Sequence, residues 1–345
     1  MENITKPIKY DFISKKITIL NILLSLLIVI YHADCKRAIS YNDKDILYVI
    51  STAISTFINL AVPTFFLISS FLFYRNFTIN LYFKKIKSRF RSLFIPYIIW
   101  NTFYCLAFIL CNQVPFLKGK FNSYVILDLK TNLIGIIMSN YTPLWFVRDL
   151  MIFVIFSPII YYLMKNKIVG ALNITVLFIL NACIELPYEH MLYWAPIYFT
   201  GAYISIHYYK KVMTLQFVSY KLLVFIIGLF AIYIMTLNLY KSPFLLFTYR
   251  FFSPICFWIL IDYIFNYKNI QIKPFFHYAF FIYANHFFLL TGLQKICFMF
   301  FPKNECTFAF SYFGIAFITI IVLIYIAFFI QKRFNKLYYI LTGGR

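Results

Sequence analysis

Charged residues are few in this sequence, and acidic residues are the fewest. Asp, Glu, Lys and Arg make up 12% of the 345 residues, and 11 of them are acidic, whereas ordinary soluble domains carry about 25% charged residues. This shortage excludes a soluble domain long enough to fold alone. Instead, 63% of the residues are hydrophobic, and apolar runs of bilayer-spanning length recur from end to end. The sequence therefore predicts an all-α membrane protein that crosses the bilayer several times.

Several familiar motifs are missing as well. The seven cysteines form neither a CxxC pair nor a metal-binding spacing, which indicates small packing residues rather than a metal site. No small-residue cleavage site follows the first apolar run, so a retained span is predicted rather than a signal peptide. The sequence contains no GxSxG, HExxH, Walker or Rossmann motif. It also shows no internal repeat, which weighs against transporters built from duplicated halves.

A single bundle of about ten transmembrane helices is predicted, occupying residues 1–345 as one domain. The predicted spans are 17–34, 47–74, 93–111, 145–164, 168–186, 193–208, 222–240, 245–266, 275–296 and 308–330. With the N-terminus in the cytoplasm, 21 Lys and Arg fall in inside segments and 8 in outside segments. This bias follows the positive-inside rule, so both termini are predicted to be cytoplasmic. Membrane orientation also explains the net charge of +21 better than binding to nucleic acid does.

The first span carries a polar stripe. Its polar residues Thr18, Asn21, Ser25 and His32 are spaced by three, four and seven, which places all four on one helical face. We expect this face to look into the bundle. His32 ends the stripe, and an ionisable residue inside a membrane is a functional-site candidate by default. The alternative is a stripe of interhelical packing contacts.

Two arginines and a second histidine also fall within predicted spans. Arg148, Arg250 and His286 lie in the outer half of the membrane under the predicted orientation, as does His32. Each charge there costs about 2.5–3.5 kcal/mol, so a shared polar cavity for an anionic or hydroxylated ligand is predicted. Such a cavity would combine a base near neutral pH with a permanent cation. The alternatives are arginines that extend to the surface and a hydrogen-bonded core histidine. Arg148 and Asp149 are consecutive and are expected not to face each other.

The longest inside loop, predicted at 75–92, is strongly basic. It contains six Lys and Arg and no acidic residue. Contact with anionic lipid and binding of a phosphate group are both compatible with this composition. The residues alone leave the choice between these two roles open.

Five passages resemble the acyltransferase-3 family, membrane O-acyltransferases that modify bacterial surface glycans. They are VPTFFLISSFLFYR (62–75), KKIKSRFRSLFIPYIIW (84–100), PLWFVRDLMIF (143–153), YFTGAYI (198–204) and FFIYANHFFLL (280–290). The resemblance implies a ten-helix domain in the bacterial inner membrane. It also implies transfer of an acyl group, usually acetyl, from cytoplasmic acyl-CoA to a hydroxyl of a cell-surface or lipid-linked glycan, without a metal.

The resemblance also implies roles for individual residues. The family's first span ends in a histidine, matched by His32, but Asn21 stands where a basic residue is expected and Thr18 where an Asp is expected. Acetyl-CoA would be held by residues of the basic run and of the polar stripe. These donor-binding residues are Lys87, Arg89, Arg91, Asn21 and Ser25.

For the reaction itself, His32 would deprotonate the acceptor hydroxyl or briefly carry the acyl group. Arg148 or His286 would stabilise the oxyanion, and the acceptor would meet Arg250, Tyr283 and Trp145. Two other classes stay open: a flippase for lipid-linked glycans, which needs neither the basic run nor His32, and a non-catalytic acyl-binding relative, which the Asn21 departure favours.

Overall fold

The structure is a computed structural model that describes residues 6–34, 46–115, 128–184, 186–214, 228, 242–267 and 271–344. All regular structure in these ranges is helical, as predicted. The α-helices are α1 (Lys6–His32), α2 (Ile46–Ile58), α3 (Ala61–Tyr74), α4 (Tyr82–Arg89), α5 (Ile95–Gln113), α6 (Leu129–Met138), α7 (Trp145–Ile155), α8 (Ser157–Lys165), α9 (Lys167–Cys183), α10 (Met191–Thr214), α11 (Pro243–Tyr267), α12 (Ala279–Phe300), α13 (Glu305–Ala309), α14 (Ile315–Arg333) and α15 (Asn335–Thr342). Short 3₁₀ segments cover Ile79–Leu81 and Pro274–Tyr278, and π-helical turns cover Phe90–Phe94 and Phe310–Gly314.

Nine of the ten predicted spans coincide with helices in the described ranges, and the predicted span 222–240 lies outside them apart from residue 228. By length and apolar composition, five described helical segments can cross a membrane. They are Ser14–His32, Leu47–Tyr74, Ile79–Gln113, Pro243–Ile261 and Glu305–Arg333. The pair α7 and α8 makes a sixth if it counts as one span. A multi-pass membrane protein is thus supported, whereas the number of ten spans and the orientation stay predictions.

The chain forms two compact units. Unit 1 comprises Met1–Ile79 and Ser157–Ala279, and unit 2 comprises Asn80–Phe156 and Phe280–Arg345. Each unit has a core rich in aromatic rings. In unit 1, Phe66 stacks on Trp194 with centroids 5.3 Å apart. In unit 2, Phe281 meets Trp100 edge-on at 5.7 Å.

In unit 1, α3 and α10 pack through small residues. The Ser70 hydroxyl donates to the Tyr198 carbonyl at 2.5 Å, and the Ser205 hydroxyl donates to the Phe71 carbonyl at 2.7 Å. Gly201 lies between these two bonds, and a Cβ added there would sit 2.5 Å from the Leu67 carbonyl oxygen. A helix backbone can approach another this closely only where the side chains are small.

We therefore expect Gly201→Ala to destabilise the protein by about 1–3 kcal/mol, the usual cost of overpacking. The clash is with a backbone atom, which cannot rotate away. Gly292→Ala in α12 is the matched control, because nothing lies within 4 Å of a Cβ added there. Thermal unfolding in detergent should show a lower Tm for Gly201→Ala and an unchanged or higher one for Gly292→Ala. Equal Tm values for the two variants would contradict this account of the α3–α10 contact.

The predicted second span is interrupted at Asn59 and Leu60, between α2 and α3. Pro63 lacks the N–H that would bond to the carbonyl of Asn59, four residues earlier, so the helical ladder breaks there. The Asn59 amide nitrogen donates to the Ser55 carbonyl at 2.9 Å. Its amide oxygen is thereby directed away from α2.

In unit 2, the basic run is helical, so the prediction of a loop at 75–92 was wrong for most of that segment. Ile79–Gln113 is one continuous helical stretch, because no helix breaker precedes Pro96. The ring of Pro96 removes one ladder bond, and the π-helical turn at Phe90–Phe94 accommodates the loss. The basic side chains therefore project from a helix at fixed spacings.

The C-terminal helix α15 packs against the middle of this stretch, at the π-helical turn and α5. The Trp100 indole donates to the Leu341 carbonyl at 2.9 Å, and Tyr338 and Thr342 are buried. Gly343 ends α15 with φ +66, and a Cβ there would meet the Ser92 carbonyl oxygen. Only glycine suits both the left-handed backbone and this contact.

Candidate functional site

His32 is the last residue of α1 and lies in unit 1. Its ring is partly exposed and meets the ring of Tyr31 edge-on, with centroids 5.4 Å apart. Two residues further on, the Asp34 carboxylate accepts a bond from the Ser55 hydroxyl at 3.4 Å, which ties the end of α1 to α2. Sequence reasoning missed this contact, because Ser55 belongs to a different helix.

The rest of the polar stripe is less segregated than predicted. Ser25 is buried, Asn21 is half-buried, and the Thr18 hydroxyl donates to the Ser14 carbonyl of its own helix at 2.9 Å. Leu20 and Leu24, which lie off the stripe, are fully buried as well. The stripe is therefore not the only face of α1 that looks inward, because α1 is surrounded by other helices of unit 1.

Lys16 is a buried cation near the start of the α1 span. Its side chain is fully buried, and its Nζ lies 3.4 Å from the centre of the Trp258 ring on α11. The ring face attracts the ammonium group. Unit 1 thus has a positive charge on α1 five residues before Asn21, the position at which the family resemblance leads one to expect a basic residue.

Arg250 on α11 lies in unit 1 and is 7% exposed. Its Nε and Nη2 donate to the Asn59 amide oxygen at 3.1 and 2.6 Å, and its Nη1 donates to the Tyr193 hydroxyl at 2.6 Å. The Tyr188 ring lies 4.5 Å from the guanidinium carbon. The arginine therefore turns inward, not outward to the surface. The break before Pro63 presents the amide oxygen of Asn59 to it.

Arg148 and Asp149, at the start of α7 in unit 2, form an ion pair. The Nε and Nη2 of Arg148 both lie 2.9 Å from Asp149 Oδ1, and Nη1 donates to the Met138 carbonyl at 2.9 Å. The prediction that these consecutive residues do not face each other was wrong, because the long arginine side chain folds back over its own helix. The pair also fastens the end of α6 to α7.

His286 and Tyr283 lie one helical turn apart on α12 in unit 2, and both are buried. The Tyr283 hydroxyl donates to the Pro143 carbonyl at 2.7 Å. Nδ1 of His286 lies 2.7 Å from the Tyr283 carbonyl oxygen, which can only accept a hydrogen bond. A neutral His286 therefore carries its proton on Nδ1 and a lone pair on Nε2. In this tautomer the ring fits a proton acceptor better than the oxyanion donor predicted for it.

The basic residues Lys84, Lys87, Arg89 and Arg91 divide between two faces of one helical stretch. Lys84, Lys87 and Arg91 are exposed and follow each other by three and four residues, so they share a face. Arg89 is half-buried and points elsewhere. The three predicted donor-binding residues therefore do not all face the same way, and Lys84 joins two of them. Trp145, half-buried, begins α7.

The predicted site residues thus fall into two groups. Unit 1 contains His32, Asn21, Ser25 and Arg250, and unit 2 contains Arg148, His286, Tyr283, Trp145, Lys87, Arg89 and Arg91. Within unit 1 the structure joins Arg250 to Asn59 and Tyr193, and within unit 2 it joins Arg148 to Asp149. The assignment of residues from both groups to one reaction stays a prediction.

A family model described as "Acyltransferase domain", that of the acyltransferase-3 family, matches residues 15–331. The match covers nearly the whole chain and includes all the predicted site residues. The chain belongs to the acyltransferase-3 family. Comparisons with curated proteins and with solved structures gave no match.

Membership of the acyltransferase-3 family confirms the resemblance and supports acyl transfer in a membrane. It does so without naming the donor or the acceptor. Asn59, Tyr188 and Tyr193 were missed as site candidates in this acyltransferase, because they lie far from Arg250 in the sequence. One signal was present, since Asn59 lies four residues before a proline in an otherwise continuous span.

Proposed function

We propose that this acyltransferase transfers an acetyl group from acetyl-CoA to a hydroxyl of a cell-surface or lipid-linked glycan, in the inner membrane of a bacterium. The observation that carries the proposal is the family match over residues 15–331, together with a histidine at the end of α1. The apolar helices support a site within or beside the bilayer. No nucleic acid and no metal take part.

In the proposed reaction His32 accepts the proton of the acceptor hydroxyl as the hydroxyl oxygen attacks the thioester carbonyl. The new C–O ester bond forms, the C–S bond breaks, and the proton passes to the CoA thiolate. In the alternative route the imidazole attacks first and an acyl-histidine then reacts with the hydroxyl. Arg148 is the cation proposed for the oxyanion. His286, with its proton on Nδ1, is assigned to proton acceptance instead.

The donor is proposed to bind through its phosphates at the basic face formed by α4 and the π-helical turn that follows it. Lys84, Lys87 and Arg91 supply three positive charges on one exposed face, and the sequence from Arg75 to Ser92 contains no acidic residue. Such a face fits the several phosphate groups of CoA. Arg89 is half-buried, so it is proposed to add positive charge near the phosphates without contacting them directly. In unit 1, Asn21 and Ser25 are the polar groups proposed for the pantetheine amides.

A direct test uses purified protein in nanodiscs with radiolabelled acetyl-CoA and a glycan acceptor from a bacterial envelope. Transfer of label to the glycan supports the proposal. Movement of unmodified lipid-linked glycan across vesicles without acetylation would favour the flippase alternative. Binding of acetyl-CoA without transfer would favour a non-catalytic relative.

We expect Lys87→Gln combined with Arg91→Gln to raise the apparent KM for acetyl-CoA about tenfold, since exposed charge contacts contribute about 0.2–1 kcal/mol each. The KM for the acceptor should change little. The measurement is steady-state kinetics with each substrate varied in turn.

The control is Lys332→Gln combined with Arg333→Gln, which removes the same charge from exposed positions at the end of α14 in the same unit. This control should leave the KM for acetyl-CoA unchanged. If both double variants raise it equally, the basic face acts only through overall charge. If neither does, α4 is a membrane-orientation signal.

A further inference from the structure

The Arg250 guanidinium is a buried positive charge that is held by uncharged groups. Within the described part of the chain, its hydrogen-bond partners are the Asn59 amide oxygen and the Tyr193 hydroxyl, and its ring contacts are Tyr188 and Tyr193. The Asn59 amide, the Tyr193 hydroxyl and the tyrosine rings are uncharged, so they orient the guanidinium without neutralising its charge. A buried charge is strongly disfavoured unless an opposite charge meets it, so this arrangement is suited to an anion supplied from outside the chain.

The hydrogen-bonding capacity of the guanidinium is only partly used. Arginine has five N–H donors, and the bonds to Asn59 and Tyr193 use three of them. The remaining two lie on the two terminal nitrogens, one on each. Free N–H groups of a guanidinium form charge-assisted hydrogen bonds to the oxygens of a carboxylate or phosphate.

The cluster lies next to an exposed segment. Tyr188 is half-exposed, and the residues on either side of it, Pro187 and Glu189, are exposed. The Tyr188 and Tyr193 rings both pack against the buried Trp194 ring, with centroid distances of 5.0 Å for Tyr188 and 4.8 Å for Tyr193. Aromatic walls with a few fixed polar groups are typical of small-ligand sites. They suit the apolar faces of a sugar ring.

We propose that Arg250, oriented by Asn59 and Tyr193 and covered by Tyr188, binds an anionic group of the saccharide acceptor, either a sugar carboxylate or a sugar phosphate. The inference rests on the proposed function and narrows its acceptor to acidic glycans. The charge of Arg250 selects the acceptor, and the neutral partners keep the guanidinium available to it.

The test measures binding to the full-length protein in nanodiscs without any acyl donor. The probes are glucuronate, glucose 1-phosphate and glucose, which share a ring and differ in charge. We expect glucuronate or glucose 1-phosphate to bind at least about tenfold more tightly than glucose, because only the two acidic probes can form charge-assisted hydrogen bonds with Arg250. The acidic probe that binds more tightly shows whether Arg250 recognises a carboxylate or a phosphate. Arg250→Gln should abolish the preference.

A second variant guards against misfolding of Arg250→Gln. Tyr193→Phe retains the charge and the ring and removes only the hydroxyl that holds Nη1, so the preference for the acidic probe should fall a few-fold and not vanish. The wild-type comparison of charged and neutral probes needs no variant at all. Equal binding of all three probes to the wild type would overturn the proposal.

Glu185 lies outside the described residues and Glu189 is exposed, so their carboxylates are tested as internal counter-ions. If the acidic preference is absent in the wild type and arises only in Glu185→Gln or Glu189→Gln, Arg250 is neutralised within the chain and the proposal is wrong. Failure of the proposed function has a different signature. Acidic probes would then bind with the expected preference, but no acetyl group would be transferred. Acetyl transfer to neutral and acidic glycans alike would retain the function and remove the acidic acceptor.

Discussion

Replacement of His32 by alanine is expected to lower acetyl transfer by about a hundredfold to ten-thousandfold, the usual contribution of a general base. The change should leave the fold intact, because the ring sits partly exposed at the end of α1 and its removal creates no enclosed core cavity. The O-acetyl content of the surface glycan, read by proton NMR from cells that produce each variant, gives the result in vivo. Single-turnover kinetics with purified protein gives it in vitro.

The matched control for this change is His277→Ala, which removes an exposed histidine from the same unit. It should retain wild-type acetylation. Mass spectrometry after a brief reaction with acetyl-CoA distinguishes the two chemical routes, since only an acyl-histidine adds an acetyl group to the peptide containing His32. If His32→Ala retains full activity, this residue has no part in the reaction.

Removal of either partner of the Arg148–Asp149 pair is expected to destabilise unit 2, and by unequal amounts. The Asp149 side chain is 0% exposed and the Arg148 side chain is 22% exposed. Breaking a buried ion pair costs about 3–5 kcal/mol. Asp149→Asn leaves a guanidinium that can reach outward from the first turn of α7, so its destabilisation should lie near the lower limit of this range. Arg148→Gln leaves a fully buried carboxylate and should fall near the upper limit.

The double variant, Arg148→Gln with Asp149→Asn, completes a double-mutant cycle. It should be more stable than Arg148→Gln alone, because neither charge is then left buried. Thermal unfolding of the four proteins in detergent gives the coupling energy. A strictly additive result, or Asp149→Asn as the worse single change, would show that the pair is not the main determinant of stability at this turn.

The helical class and the span positions could be predicted from the sequence because apolar runs of bilayer length report directly on helices that cross a membrane. The basic segment was harder. Its charge suggested a loop, but charge does not break a helix, and no glycine or proline lies between Asn76 and Phe94. The helix therefore continues through Pro96 to Gln113, and the π-helical turn at Phe90–Phe94 accommodates the bond that Pro96 cannot make.

The candidate site was predictable only in part. His32 and Arg250 could be chosen because an ionisable residue in an apolar span is costly and therefore conspicuous. Their partners could not, since Asn59 meets Arg250 across 191 residues of sequence and only the fold brings them together. The prediction that Arg148 and Asp149 do not face each other was wrong for another reason. Helical spacing predicts where Cβ atoms point, whereas a long, flexible side chain can turn back along its own helix.

The packing of α15 bears on how this protein should be produced. The family match ends at residue 331, before α15 begins at Asn335. A chain cut at that limit would lose the Leu341 carbonyl that accepts the Trp100 indole bond, together with the Gly343 contact beside Ser92. The Gly343 contact adjoins the helical turn that contains Arg91. The expression boundary is therefore set by Gly343, and a C-terminal affinity tag needs a flexible spacer after it.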